Sequence, residues 1–166
     1  MIRGNQEGPP RMIYTESTAV FLGGVEVQAF HMGTGHTNGD TVVYFPDLKT
    51  IHGGDLLHTT APFMDYANGG SSRGWVETLN SMLTLDFDTA IPGHGGLMDR
   101  RGILAFRNQM EAVRMRMADL IRNGVSADDA AERLKDPALS WTQAESGLFM
   151  SRSIPGFYQE IAAEVQ

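Results

Sequence analysis

The chain has 166 residues, of which 42% are hydrophobic and 20% are charged, proportions typical of a globular protein with one buried core. Its formal net charge of -7 argues against nucleic acid as a partner, because phosphate binding needs a basic surface. The sequence contains no cysteine, which excludes disulfide bonds and thiolate metal sites, so any bound metal must be held by nitrogen and oxygen.

The N-terminal part of the chain is a polar segment followed by a predicted β-hairpin. Residues 1–13 are rich in glycine and proline and show no hydrophobic periodicity, which predicts a flexible tail. Two strand-like runs, 17–22 and 25–31, flank Gly23-Gly24, and this arrangement predicts a hairpin with a two-residue turn. Apolar and polar side chains alternate along the second run, so one of its faces is predicted to be buried.

A second pair of strands and a long loop come next. Residues 32–40 form a glycine-containing loop, and the runs 41–45 and 50–54 are joined by a short turn, which predicts an antiparallel pair. Residues 56–71 contain proline and paired glycines and are predicted to be an irregular loop. Because loops beside a site usually carry substrate contacts, this loop is expected to recognise the substrate.

The rest of the chain is predicted to be mainly helical. Helix caps, and apolar residues spaced three and four apart, predict four helices that begin near Ser71, Asp99, Ser126 and Pro155. A short buried strand, 89–91, lies between the first two helices. The methionine and aromatic positions of these helices are interpreted as core packing.

Three polar residues in similar glycine-rich settings are the candidate site residues. His36 lies in Gly35-His36-Thr37-Asn38-Gly39-Asp40, Asp55 ends Gly53-Gly54-Asp55, and His94 lies in Pro92-Gly93-His94-Gly95. Their flanking glycines allow the backbone to approach another group closely. Imidazole and carboxylate are donors that zinc accepts, so His36, Asp55 and His94 are predicted to be metal ligands, with zinc favoured.

Four other polar residues near these motifs are given structural interpretations. Asp40 is predicted to bond the amides of the loop beside His36, as aspartate commonly does in turns. His31 and His52 fall within or next to strands and are interpreted as ordinary sheet positions. His58 falls in the predicted substrate loop, where it either contacts substrate or is a solvated loop histidine.

The three glycine-rich motifs, in this order, resemble the later metal motifs of the metallo-β-lactamase superfamily. Within this superfamily, the chain most resembles a branch of exported or periplasmic-type hydrolases. Further motifs extend the similarity over roughly residues 13–135, among them Pro62-Phe63-Met64-Asp65 and Gly74-Trp75. The resemblance implies an α/β fold of the αββα sandwich type. It also implies a partial domain over residues 14–135, with a mixed or antiparallel sheet and flanking helices, and a helical extension over residues 136–166.

The resemblance also assigns roles to the three candidate ligands. His36 corresponds to the third histidine of the family's first metal site, Asp55 to the carboxylate that bridges both metals, and His94 to the histidine of the second site. The intact family fold holds one or two zinc ions. The implied reaction is attack by hydroxide on an ester, amide, lactam or related bond of a small-molecule substrate.

The sequence departs from the family in one respect. The upstream His-x-His-x-Asp-His motif is absent, and none of the five histidines has the His-x-His spacing. The chain is therefore expected to form the C-terminal half of the sandwich, as a truncated product. Because half a sandwich leaves apolar faces uncovered, a complementing N-terminal segment or a second copy of the chain is the expected partner.

Three functions follow as alternatives. The first is a hydrolase that needs the missing half for activity, and the second is a non-catalytic binding or assembly module with a residual metal site. The third is a mononuclear hydrolase that uses His36, Asp55, His94 and water. A soluble protein without a membrane partner is expected, because the sequence shows no membrane-spanning run and no signal peptide; the family resemblance suggests a periplasmic or secreted location.

Overall fold

The computed structural model describes residues 12–143 and 147–165, and within them five strands form one mixed sheet. The strands lie side by side in chain order: β1 (Ser17–Leu22), β2 (Val25–Phe30), β3 (Val42–Phe45), β4 (Thr50–His58) and β5 (Thr89–His94). Neighbouring strands are antiparallel from β1 to β4, whereas β4 and β5 are parallel. The predicted α/β fold with a mixed sheet is confirmed.

The β1–β2 hairpin turns at the two glycines, as predicted. Gly23 and Gly24 have φ angles of 61° and 83°, which glycine adopts without the steric cost that a side chain would add. Positive φ at both central residues is typical of the tight turns whose twist matches that of the flanking strands. The antiparallel pairing of β3 with β4 is also confirmed.

The strand β4 is longer than the sequence predicts. It continues to His58, so residues 56–58 belong to the sheet and the prediction of a loop from residue 56 is wrong for them. The extension comes from pairing with β5, in which Gly54 lies opposite Pro92 and His58 opposite His94, with register shifts on both sides of Gly54. The irregular pairing brings the C-terminal ends of both strands to one edge of the sheet.

Four α-helices occur in the described residues. They are α1 (Ser72–Met82), α2 (Arg100–Arg122), α3 (Ala127–Leu134) and α4 (Ile154–Val165), the last preceded by a π-helical turn over Phe149–Ser153. The predicted caps are present, because the side chains of Ser71, Asp99 and Ser126 accept hydrogen bonds from the backbone of the first turns. Within the described ranges, no helix is both long enough and apolar enough to cross a membrane.

The hydrophobic core lies between one face of the sheet and the helices. The sheet contributes Val42, Ile51 and Ala90, all fully buried. The predicted apolar stripes of the helices pack into the same cluster, and their largest buried members are Trp75, Leu79, Met82, Ile103, Met110 and Phe157. Phe149 of the π-helical turn is buried in the same cluster. The C-terminal segment 147–165 therefore belongs to this core.

The opposite face of the sheet is apolar and partly exposed. Strand alternation and register place eight apolar residues on this face: Val20, Leu22, Val25, Val27, Ala29, Val43, Phe45 and Ile91. None of the eight is fully buried, and Leu22 and Val25 are 79% and 46% exposed. The prediction that this face of the hairpin is buried is wrong for Val25, because the helices pack against the other face. We call these eight residues the open sheet face.

Candidate functional site

The three predicted site residues meet at the edge of the sheet where β4 and β5 end. His36 lies in the loop between β2 and β3, Asp55 in β4, and His94 at the last position of β5. The Nε2 atom of His36 is 3.7 Å from one carboxylate oxygen of Asp55, and the Nε2 atom of His94 is 3.3 Å from the other. The carboxylate therefore lies between the two imidazoles, with one oxygen facing each.

The imidazole of His36 is oriented from its other nitrogen. Its Nδ1 is 2.7 Å from the backbone carbonyl oxygen of Phe63, which can only accept, so Nδ1 carries a proton and Nε2 faces Asp55. Phe63 and Trp75 also pack edge-on against the ring, with centroids at 5.7 and 6.3 Å. A hydrogen bond from the second ring nitrogen to a carbonyl is the usual arrangement of a metal-binding histidine.

The loop that carries His36 is closed by the side chain of Asp40. One carboxylate oxygen of Asp40 accepts from the backbone amide of Thr37 at 3.0 Å, and the other accepts from the Thr37 hydroxyl at 2.8 Å. The prediction that Asp40 bonds the loop beside His36 is confirmed. The same loop is held to the sheet by His31, whose Nδ1 is 2.9 Å from the backbone oxygen of Asp40.

Gly93 allows the Asp55 carboxylate to lie directly against the backbone of β5. A Cβ atom built on Gly93 would overlap the carboxylate oxygen of Asp55 and would lie 2.8 Å from the carbonyl carbon of Gly54. No side chain larger than hydrogen fits between the two strands at this point. The close approach that the glycine motifs predict is thus confirmed at Gly93.

His58 is buried beneath the site, which corrects the interpretation of it as a solvated loop histidine. It is the last residue of β4, is only 6% exposed, and has its Nε2 atom 3.0 Å from the backbone oxygen of Asp55. Burial lowers the pKa of its imidazole, although the negative charge of Asp55 opposes that shift. The sequence signal for this position is the apolar pair Leu56-Leu57, which continues the strand up to His58.

The predicted sheet interpretation holds for the remaining histidines. His52 lies within β4, where its Nδ1 accepts a hydrogen bond from the backbone amide of Gly54 at 3.1 Å. His31 directly follows β2 and bonds the loop. Neither lines the cavity beside Asp55.

The donor set at this edge has the chemistry of a zinc site but not the full number of donors. Among residues 12–143 and 147–165, no three His, Cys, Asp or Glu side chains are arranged to hold a metal ion by themselves. The geometry explains this, because His36 and His94 face different oxygens of Asp55. Each side of the carboxylate thus offers one imidazole and one oxygen, whereas zinc takes at least three protein ligands. Their role as metal ligands stays a prediction.

A cavity of about 570 Å³ opens over these residues, a volume in the usual range for small-molecule sites. The three candidate ligands and His58 line the cavity, together with Thr60, Ala61, Phe63, Gly147 and Leu148. The sequence gives no signal for the last two, because they reach the cavity from the C-terminal segment only through the packing of α4.

The family model described as the metallo-beta-lactamase superfamily matches residues 9–94, a range that includes His36, Asp55 and His94. The α subunit of 2,4-dinitroanisole O-demethylase from Nocardioides sp. (strain JS1661) is 27% identical over 117 residues, which are 70% of this chain and 35% of that protein. A type 2 metallo-beta-lactamase from Bacteroides fragilis is 29% identical over 90 residues, which are 52% of this chain and 36% of that protein.

Both comparisons cover about a third of the relative's length. Among solved structures, the stereoselective inverting sec-alkylsulfatase from Pseudomonas sp. has a TM-score of 0.69 and 17% identity. The match covers 92% of this chain and 26% of that chain. It shows a shared fold.

Proposed function

The chain belongs to the metallo-beta-lactamase superfamily, and we propose from this that it carries part of the metal centre of a hydrolase. In this proposal His36, Asp55 and His94 are metal ligands, zinc is the metal, and further donors come from outside the described residues. The substrate is a small molecule with an ester, amide, lactam or related bond.

The observation that carries the proposal is the position of the Asp55 carboxylate. Its two oxygens face the Nε2 atoms of His36 and His94 at 3.7 and 3.3 Å, the arrangement expected of a carboxylate that bridges two cations. A neutral imidazole can bind a metal through Nε2 only if its proton lies on Nδ1. For His36, the hydrogen bond from Nδ1 to the carbonyl of Phe63 favours this tautomer.

The residues that line the cavity have two kinds of role in this proposal. When bound, zinc supplies a hydroxide nucleophile near neutral pH and polarises the bond under attack. The carboxylate of Asp55 and the imidazoles of His36 and His94 would hold the metal ion. Phe63, Ala61 and Leu148 form the apolar wall that contacts the hydrocarbon part of the substrate and keeps water from it.

The open sheet face supports the proposal that the centre is completed by another segment. Its apolar residues, such as Val43 and Ile91, lie on the strands that lead to the site but point away from the helices. An apolar sheet face of this kind packs against a second sheet in a sandwich. A complementing segment that covers it is well placed to supply the missing donors, and a second copy of the chain is the alternative source.

A second candidate function is a non-catalytic assembly module. Two observations favour it. Each side of Asp55 offers only two donors among the described residues, fewer than a zinc ion takes, and the open sheet face is exposed. In that case the chain binds its partner through the open sheet face and has no hydrolase activity when zinc is supplied.

Zinc content of the purified chain, measured by elemental analysis, tests the proposal. Three proteins are compared: the wild type, His36→Ala, and His52→Ala as the matched histidine control on the same sheet. Zinc that is present in the wild type and in His52→Ala but lost in His36→Ala supports the metal centre. Zinc that is present at the same level in all three proteins overturns it, because the metal is then bound elsewhere.

Activity separates the two candidate functions. The zinc-loaded chain is assayed against a lactam, a carboxylic ester and a sulfate ester, alone and with a complementing segment bearing the His-x-His-x-Asp-His motif. Hydrolysis that requires the added segment supports the hydrolase. A stable complex that remains inactive toward all substrates supports the assembly module.

A further inference from the structure

The peptide group between Phe63 and Met64 links His36 to the C-terminal segment. Its carbonyl oxygen accepts from Nδ1 of His36 at 2.7 Å, and its N–H donates to the hydroxyl oxygen of Ser153 at 2.9 Å. A peptide group is planar and rigid, so a bond that fixes its N–H also fixes the direction of its carbonyl. His36 and Ser153 therefore hold opposite sides of one rigid unit.

The Ser153 side of this connection is removed from water. Ser153 is fully buried and Met64 is 1% exposed, so the N–H of Met64 cannot exchange its partner for solvent. A buried backbone N–H requires an acceptor, and the hydroxyl of Ser153 is the one that the structure provides. The bond also polarises the peptide, which strengthens its carbonyl as an acceptor for His36.

The segment that carries Ser153 is itself anchored to the same loop. Ser153 ends the π-helical turn, and α4 follows directly. At the seventh residue of α4, the carboxylate of Glu160 accepts hydrogen bonds from the hydroxyls of Tyr66 at 2.8 Å and Ser71 at 2.7 Å. Gly156 lies so close to Tyr66 that an added Cβ would be 2.6 Å from the ring carbon Cγ. The C-terminal segment thus holds residues 63–72 at three points.

We propose that Ser153 is a positioning residue for His36 and acts through the Phe63–Met64 peptide group. It fixes the tautomer and the direction of the imidazole, so the C-terminal segment is part of the metal-binding apparatus. The value of this positioning for metal affinity rests on the proposed function, but the connection between Ser153 and the His36 ring does not.

The direct test is the nitrogen-15 NMR spectrum of the histidine rings in the metal-free protein, with the His36 signals assigned from His36→Ala. In the wild type, neutral His36 is expected to be the Nδ1–H tautomer with a slowly exchanging ring proton. An Nε2–H tautomer overturns the proposal without any further variant, because Nδ1 then cannot donate to Phe63.

Substitutions then test the role of Ser153. In Ser153→Ala the exchange of the His36 ring proton is expected to accelerate at least about tenfold, and Ser153→Thr, which keeps the hydroxyl, is expected to restore it. The matched control is Thr142→Val, because Thr142 is also fully buried and its hydroxyl accepts from the backbone amide of Asp136 at 2.9 Å, away from the site. An unchanged His36 signal in folded Ser153→Ala overturns the proposal.

Zinc titration of the same proteins separates this proposal from the proposed function. Ser153→Ala is expected to bind zinc about tenfold more weakly than the wild type, whereas Thr142→Val binds it equally. If the wild type binds no zinc, this chain does not form a metal centre by itself, and the NMR result still decides the role of Ser153. Equal zinc affinity in Ser153→Ala and the wild type contradicts the role of Ser153 in metal binding.

Discussion

The imidazole of His58 stacks on that of His94, with ring centroids 5.1 Å apart and planes inclined by 21°. Below it, His58 packs against Phe106 and Trp75 at 6.3 and 6.2 Å. The buried ring of His58 thus packs against one face of the exposed ring of His94. His94, which is 67% exposed, has this ring and the Asp55 carboxylate as its supports.

Replacement of His58 is expected to affect both stability and the site. His58→Ala removes a buried ring and should lower the free energy of unfolding by about 2–3 kcal/mol, because the surrounding aromatic rings cannot close the cavity. His58→Phe keeps the stack and should recover most of that loss. Urea denaturation of the two variants measures the difference, with His52→Ala as the control, since His52 is partly exposed and its loss should cost less than about 0.5 kcal/mol. Equal stability of His58→Ala and His52→Ala contradicts this role.

Gly93→Ala is expected to disturb the site without touching a candidate ligand. The added methyl group overlaps the Asp55 carboxylate and the backbone of β4, so the strands must separate at a cost of about 1–3 kcal/mol. The zinc affinity should fall with the displacement of the carboxylate. Gly96→Ala is the matched control, because nothing lies within 4 Å of a Cβ atom at that position. Thermal unfolding and zinc titration measure the stability and the zinc affinity of both variants. If Gly93→Ala and Gly96→Ala have similar stability and similar zinc affinity, the close packing at Gly93 is excluded.

Glu160 is expected to make the C-terminal segment sensitive to acid. Burial of its carboxyl opposes ionisation, but hydrogen bonds from Ser72, Ser71 and Tyr66 outweigh it and lower the pKa below the usual value of 4.5. Arg114 of α2 faces the same carboxylate at 3.8 Å. A group with a lowered pKa in the folded state stabilises the protein above its unfolded pKa, and this contribution is lost as the pH falls through the folded value.

Unfolding measured between pH 7 and pH 3 in Glu160→Gln tests this. The variant should be less stable than the wild type by about 1–2 kcal/mol at pH 7, and the difference should shrink as the pH falls below about 4.5. Glu77→Gln is the control, because Glu77 is 68% exposed and its carboxylate forms a surface pair with Arg73. A difference between wild type and Glu160→Gln that stays constant down to pH 3 is incompatible with the lowered pKa.

The open sheet face is expected to drive association of the isolated chain. Val43→Glu places a charge at the centre of this face and should shift the protein toward monomer in sedimentation velocity, at a cost in stability of about 1 kcal/mol. Met115→Glu is the matched control, because Met115 is 68% exposed but lies on α2. If both variants associate to the same extent as the wild type, the open sheet face is not the contact surface.

Local features of the fold could be predicted because their causes lie within a few residues. The glycine pair at the hairpin turn and the serine caps of α1 and α3 act on the adjacent backbone, and each is found where the sequence indicates. The end of β4 could not be predicted in the same way. Residues 56–58 are held in the sheet by β5, which begins 31 positions after residue 58, and no local signal records that pairing.

By itself, the sequence determined which residues are candidates for the site. The glycines around His36, Asp55 and His94 indicated close backbone approach, and the absence of cysteine restricted the donors to nitrogen and oxygen. Only the tertiary structure decided that Asp55 divides its oxygens between two imidazoles, that His58 lies beneath His94, and that Ser153 bonds the peptide beside His36. These relations join residues far apart in the chain, and they depend on how the strand ends and α4 pack rather than on any local pattern.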